Sequence, residues 1–221
     1  MPLLDDIDQY ISYFRDQLVE IARVPHFLHR KILYVAVLDT LSRAAFPQEQ
    51  GHHARNVTFL DMCSKWNDKD RVSALQLKLS LEDKCMTSGK LYADISARVS
   101  KWAEGDIIRP DREPMIDEIK RLGSAAEQSL FAGARYAELL YTYRNHLVHE
   151  FRAPGHDFEI SDDPTTPYYY SMTGSPWELV FPRVFLHNIC SSSLEGLREH
   201  LVRYNLNPYD AYNFDTLWRR K

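Results

Sequence analysis

A chain of 221 residues with 44% hydrophobic content is long enough to bury one sizeable core, so a single domain with an irregular insertion is expected. The formal net charge of -4 excludes a protein that coats nucleic acid over a broad basic face, though it leaves room for a small basic cleft. Only 8 glycines stand against 11 prolines, and long stretches are rich in Leu, Ala, Glu, Lys and Arg, which predicts a mainly α chain with sharply stopped helices.

From Asp5 or Asp6 as N-cap, Ile7, Ile11, Phe14, Leu18 and Ile21 recur at spacings of three and four, the apolar stripe of a helix that ends before Pro25. Leu28 to Phe46 forms a second, largely apolar rod stopped by Pro47, and the two are expected to pair as a hairpin. Gln48 to Asn56 reads as a loop. Val57 to Trp66 and Arg71 to Leu81 read as shorter helices, the second capped by Asp68 or Asp70. Leu91 to Glu104 is a further amphipathic helix closed by Gly105; Asp106 to Pro114 is a linker, and helix resumes at Met115.

The longest helical pattern runs from Ser124 to Arg152 and stops at Pro154-Gly155. Tyr168-Tyr169-Tyr170 and Trp177 to Phe181 are β-prone runs separated by Gly174-Ser175-Pro176, which predicts a small hairpin within an insertion at about 157–181. Core packing is the expected use of those aromatic residues, with base stacking the alternative. Pro182 opens a last helix to about Tyr204, and the tail ends in the basic, aromatic Trp218-Arg219-Arg220-Lys221, read as a frayed end.

Cys63, Cys85 and Cys190 have no C-x-x-C spacing, which suits free buried thiols in a reducing compartment, with cytoplasm the default. The acidic start Met1 to Asp6 does not resemble a secretory signal, and no segment reaches the roughly 18 apolar residues a membrane span needs. His26 with His29, His52 with His53, and His146 with His149 lack carboxylates or cysteines at recognised ligand spacings, so neither a metal nor a cofactor is expected.

Each residue of an ideal helix advances by about 100°. Tyr136, Leu140, Tyr143, Leu147 and Phe151 then share a core-facing side, while Arg135, Glu138, Thr142, Asn145, His149 and Arg152 form a polar stripe opposite. On that stripe Asn145 stands one turn before His149 and is expected to orient its imidazole, and Arg144 and Arg152 flank it with fixed positive charge. Metal-free cleavage of RNA needs a group that moves protons at the 2′-hydroxyl and the leaving oxygen, and a cation that stabilises charge on phosphorus. Histidine and arginine supply these. At a spacing of five residues the two lie about 140° apart, so Arg144 meets His149 only through its long side chain or a distorted turn.

The segment Arg144-Asn145-His146-Leu147-Val148-His149 resembles the R-N-x-x-x-H signature of HEPN domains, many of which are ribonucleases, with Arg144, Asn145 and His149 matching position for position. The neighbouring Tyr143 and Glu150-Phe151-Arg152, and the order of helices before them, extend the resemblance loosely over most of the chain. It implies a HEPN-like α-helical bundle, a homodimer whose paired motifs form one cleft, and a metal-independent endoribonuclease used as a toxin or defence effector, with RNA as substrate and an antitoxin as a further partner. His146 and Arg152 would support the site, and the resemblance adds a polar residue from an early helix, either Asp39 or Arg43. The alternative from another class is a catalytically silent bundle of the same kind that binds a nucleotide, RNA or a protein partner.

Overall fold

The computed structural model describes residues 2–49, 51–160, 164–174 and 176–212, and the chain divides into two compact units, one of Met1–Trp66 with Leu186–Lys221 and one of Asn67–Phe185. The class is mainly α with one small antiparallel hairpin. The terminal Trp218 to Lys221 lie outside the described residues.

The first unit is helical. α1 (Pro2–Arg23) and α2 (Phe27–Ala45) flank Pro25 and pack together, burying Ile7, Ile11, Phe14, Leu18 and Ile21 on one side and Val35, Leu38 and Leu41 on the other. The stripe spacing is what allows both helices to present one apolar face. α3 (His52–Cys63) begins earlier than the polarity of Gln48 to Asn56 predicts, because Arg55 and Asn56 are buried and bonded within it, Arg55 to His52 Nδ1 and Asn56 Nδ2 to the His52 carbonyl. The last helix runs Arg183–Tyr204 and enters this unit at Leu186. Its Gly196 lies against the end of α3 so closely that a Cβ there would stand 1.9 Å from the Cys63 carbonyl oxygen.

In the second unit, α4 (Ala74–Asp83) and α5 (Lys90–Val99) pack with α6 (Ile116–Leu122) and α7 (Gln128–Gly133) around Val72, Leu77, Leu81, Leu91, Ile95, Ile119 and Phe131. Ser73 caps α4 by accepting from the Gln76 amide. The expected caps are used elsewhere: Asp68 bonds Arg71, and Asp70 pairs with Arg135 at 3.0 Å. The hairpin joins β1 (Tyr168–Tyr170) to β2 (Glu178–Val180) in the register Tyr168 to Val180, and all three tyrosines are buried in the core.

The Ser124 to Arg152 pattern is not one helix. A capping box of Ser124 and Glu127 starts a 3-10 turn that runs into α7, and a second helix, α8 (Tyr136–His149), follows a break at Ala134 and Arg135. The break is tertiary in origin: the Ala134 carbonyl accepts from the Ser73 amide at 2.9 Å, the Tyr136 amide donates to Arg71 at 2.9 Å, and the Ala137 amide donates to Lys69 at 3.2 Å. Backbone groups spent on that ladder cannot complete a helix.

Cys63 and Cys190 are buried free thiols, and burial pushes both thiol pKa values up, Cys63 to about 12 with the Glu199 charge adding to it. Cys85, expected buried, is exposed, because it lies just past the end of α4 with a left-handed φ of 56°. Among the described residues no helix is long and apolar enough to cross a membrane.

Candidate active site

α8 buries Tyr136, Ala137, Leu140, Tyr143 and Leu147, so its other faces carry the motif outward. The helix stops at His149. Glu150 closes it with its amide on the His146 carbonyl at 3.0 Å, and Phe151 takes a left-handed φ of 54°. Phe151, expected on the core side, is therefore off the helix and 61% exposed. The polar stripe is correspondingly shorter, since Arg135 precedes the helix and Arg152 follows it, paired with Glu150 at 2.6 Å.

Arg144 and His149 meet within one chain. The guanidinium reaches around the helix so that Nη1 stands 3.3 Å from His149 Nε2 and 2.9 Å from Asn145 Oδ1, with its Cζ 5.8 Å from the centroid of the Tyr141 ring. Asn145 thus orients the arginine rather than the imidazole. Because an arginine only donates, His149 Nε2 is the acceptor in this contact. His146 is fixed differently: its Nδ1 bonds Glu150 Oε1 at 2.8 Å, and as a carboxylate only accepts, His146 carries its proton on Nδ1 and turns Nε2 away from Glu150. At a spacing of three, the two histidines have Cβ atoms roughly 5–6 Å apart.

The chain after α8 is tied back to it. The Tyr143 hydroxyl donates to Asp157 Oδ1 at 2.9 Å, and burial, reinforced by the Asp157 charge, holds the phenol well above its usual pKa and so a permanent donor. Asp157 is itself buried with a φ of 54°. Next to it, Glu178 receives the His156 amide at 2.8 Å and His156 Nδ1 at 2.6 Å. Burial alone would raise the Glu178 pKa, yet the His156 bonds and charge, with a bond from Tyr170, hold it below the usual carboxylate value. These contacts frame a cavity of about 390 Å³ on α8, lined by Leu139, Thr142 and His146 on the helix and by Gln76, Trp177 and Glu178 opposite.

Asp39 and Arg43 belong to the first unit, on α2, where Arg43 lies over the Tyr212 ring at 5.3 Å; the motif belongs to the second. Tyr141 is an addition that sequence reasoning missed, and Glu150, named there only within the wider resemblance, gains a role it was not given. The signal for Glu150 was present, as its spacing of four from His146 is that of a helical pair. Among the described residues, no group of three or more His, Cys, Asp or Glu side chains is placed to hold a metal ion.

The chain matches no protein-family model, and comparison with curated proteins and with solved structures found no match. A functional reading therefore stands on the chemistry of the site.

Proposed function

We propose that this protein is a metal-independent endoribonuclease of the HEPN type. The observation that carries the reading is the approach of Arg144 to His149 at 3.3 Å, with Asn145 fixing the guanidinium. A phosphodiester entering beside this pair competes for Arg144, because a guanidinium bonds an anionic oxygen more strongly than a neutral ring nitrogen. Its departure frees the Nε2 lone pair of His149. That nitrogen takes the proton of the 2′-hydroxyl, the 2′-oxygen bonds to phosphorus, and Arg144 stabilises the charge that builds on the phosphoryl oxygens. The bond from phosphorus to the 5′-oxygen breaks, and His146 in its imidazolium form, held by Glu150, returns a proton to that oxygen. The products are a 2′,3′-cyclic phosphate, which water opens to a phosphate, and a 5′-hydroxyl. DNA lacks the nucleophile and is spared.

A second copy of the chain is the protein partner in this reading. The -4 charge of one chain offers RNA little general attraction, and a two-fold contact brings the Arg144 of both chains to one cleft. Cytoplasmic action, a toxin or defence role and an antitoxin partner rest on the sequence resemblance and the cysteine pattern.

Purified protein incubated with single-stranded RNA in excess EDTA should cleave it, and His149→Ala should slow cleavage by about 10²–10⁴-fold, the span for a general base. Equal cleavage by the two proteins would sink the enzyme reading and favour a silent binding bundle.

A further inference from the structure

The cavity on α8 adjoins the proposed cleavage site and shares one residue, His146, with it. Its wall on the helix runs from Leu139 through Thr142 and Tyr143 to His146. His146 borders both, which makes the cavity continuous with the site. From Thr142 to His149 the rise along the axis is only about 10 Å. The volume of about 390 Å³ falls in the range of small-molecule pockets and suits one planar heterocycle, not a macromolecular surface.

The lining has the two components that base recognition uses. Trp177 is half-buried and held edge-on by Trp102, with ring centroids 5.1 Å apart, so it is a braced aromatic surface. Polar groups converge on the same space: the exposed Thr142, whose hydroxyl donates to the Glu138 carbonyl and keeps lone pairs to accept, Gln76, and Glu178 with an ionised carboxylate. Stacking on an aromatic face with hydrogen bonds at the edge of the ring is how unpaired bases of single-stranded RNA are bound.

We infer that this cavity binds one nucleobase of the RNA strand, that of a nucleotide next to the cleaved phosphodiester, and so sets the base preference of cleavage. The inference rests on the ribonuclease reading only for the strand that delivers the base. Binding of the free nucleoside does not depend on it.

The probes are adenosine, guanosine, cytidine and uridine, which carry no phosphate for Arg144. Their affinities for the wild-type protein are measured by calorimetry or protein-observed NMR and compared with those of Thr142→Tyr, which fills the cavity from an exposed helical position, and Trp177→Leu, which removes the stacking surface. Melting curves show that each variant is folded. One nucleoside should bind best, each variant should bind it about tenfold or more weakly, and Arg144→Ala should bind it as the wild type does. On RNA of mixed sequence, the wild type should cut beside that same base and the two cavity variants should lose the preference. Failure of all four nucleosides to bind the wild-type protein, or unchanged binding by folded Thr142→Tyr and Trp177→Leu, overturns the inference even if the protein cleaves RNA. Nucleoside binding with the expected variant losses and no cleavage in EDTA upholds the cavity and removes the ribonuclease reading.

Discussion

Glu113 is 3% exposed, with Oε2 on the Ala74 amide at 3.0 Å and Oε1 without a hydrogen-bond partner among the described residues. Burial raises its pKa to about 7, against the opposing Ala74 bond and the charges of Arg98 and Arg71. The folded protein keeps this proton up to about pH 7, whereas the unfolded chain releases it near the ordinary value of 4.5. Between those pH values the folded state binds more protons, so the stability contributed below pH 4.5 is lost as pH rises to 7, by about 3 kcal/mol at most. Glu113→Gln should lack that loss. Urea unfolding at pH 5 and pH 8 should show the variant gaining on the wild type by about 1–3 kcal/mol between the two; an equal slope for both proteins would refute the buried carboxyl as its source. At the motif, the residue types and their order were legible, and so in principle was the His146 to Glu150 pair. The contact of Arg144 with Asn145 was not, since adjacent residues do not face each other on a helix and only the rotamer of a long side chain joins them.

Helices were legible where their stability is local. The stripe from Ile7 to Ile21 ends where Pro25 requires, and the Tyr168 to Tyr170 and Glu178 to Val180 runs pair across the turn that Gly174 introduces. The division of the 124–152 pattern was not legible, because Ser73, Arg71 and Lys69, distant in sequence, take the backbone bonds at Ala134 to Ala137. The end of α8 depends likewise on Phe151 at a φ of 54°, which costs an L side chain about 1–2 kcal/mol. With the residue 61% exposed, little burial offsets this. Phe151→Gly should therefore stabilise the protein by about 0.5–1 kcal/mol, after allowing for the greater freedom of glycine in the unfolded chain. A lower urea midpoint would mean that the Phe151 ring contributes more than its exposure implies.

For the whole molecule, composition and the spacing of prolines were enough to read the mainly α class, while the division into two units was not visible, since Leu186–Lys221 joins Met1–Trp66 across the intervening 67–185. The same division separates Asp39 and Arg43 from the motif by unit, a fact no residue spacing encodes. The proposed partnership with a second copy should appear in light scattering at micromolar concentration as about twice the 25.9 kDa of one chain, and a monomer that still cleaves RNA would refute it. The chemistry assigned to Arg144, His146 and His149 is tested most directly by ³¹P NMR of the products of single-stranded RNA cleaved in excess EDTA. The account predicts 2′,3′-cyclic phosphate ends, or the phosphate they open to, paired with 5′-hydroxyls; products ending uniformly in 3′-hydroxyl, or cleavage that appears only when Mg²⁺ is restored, would contradict it.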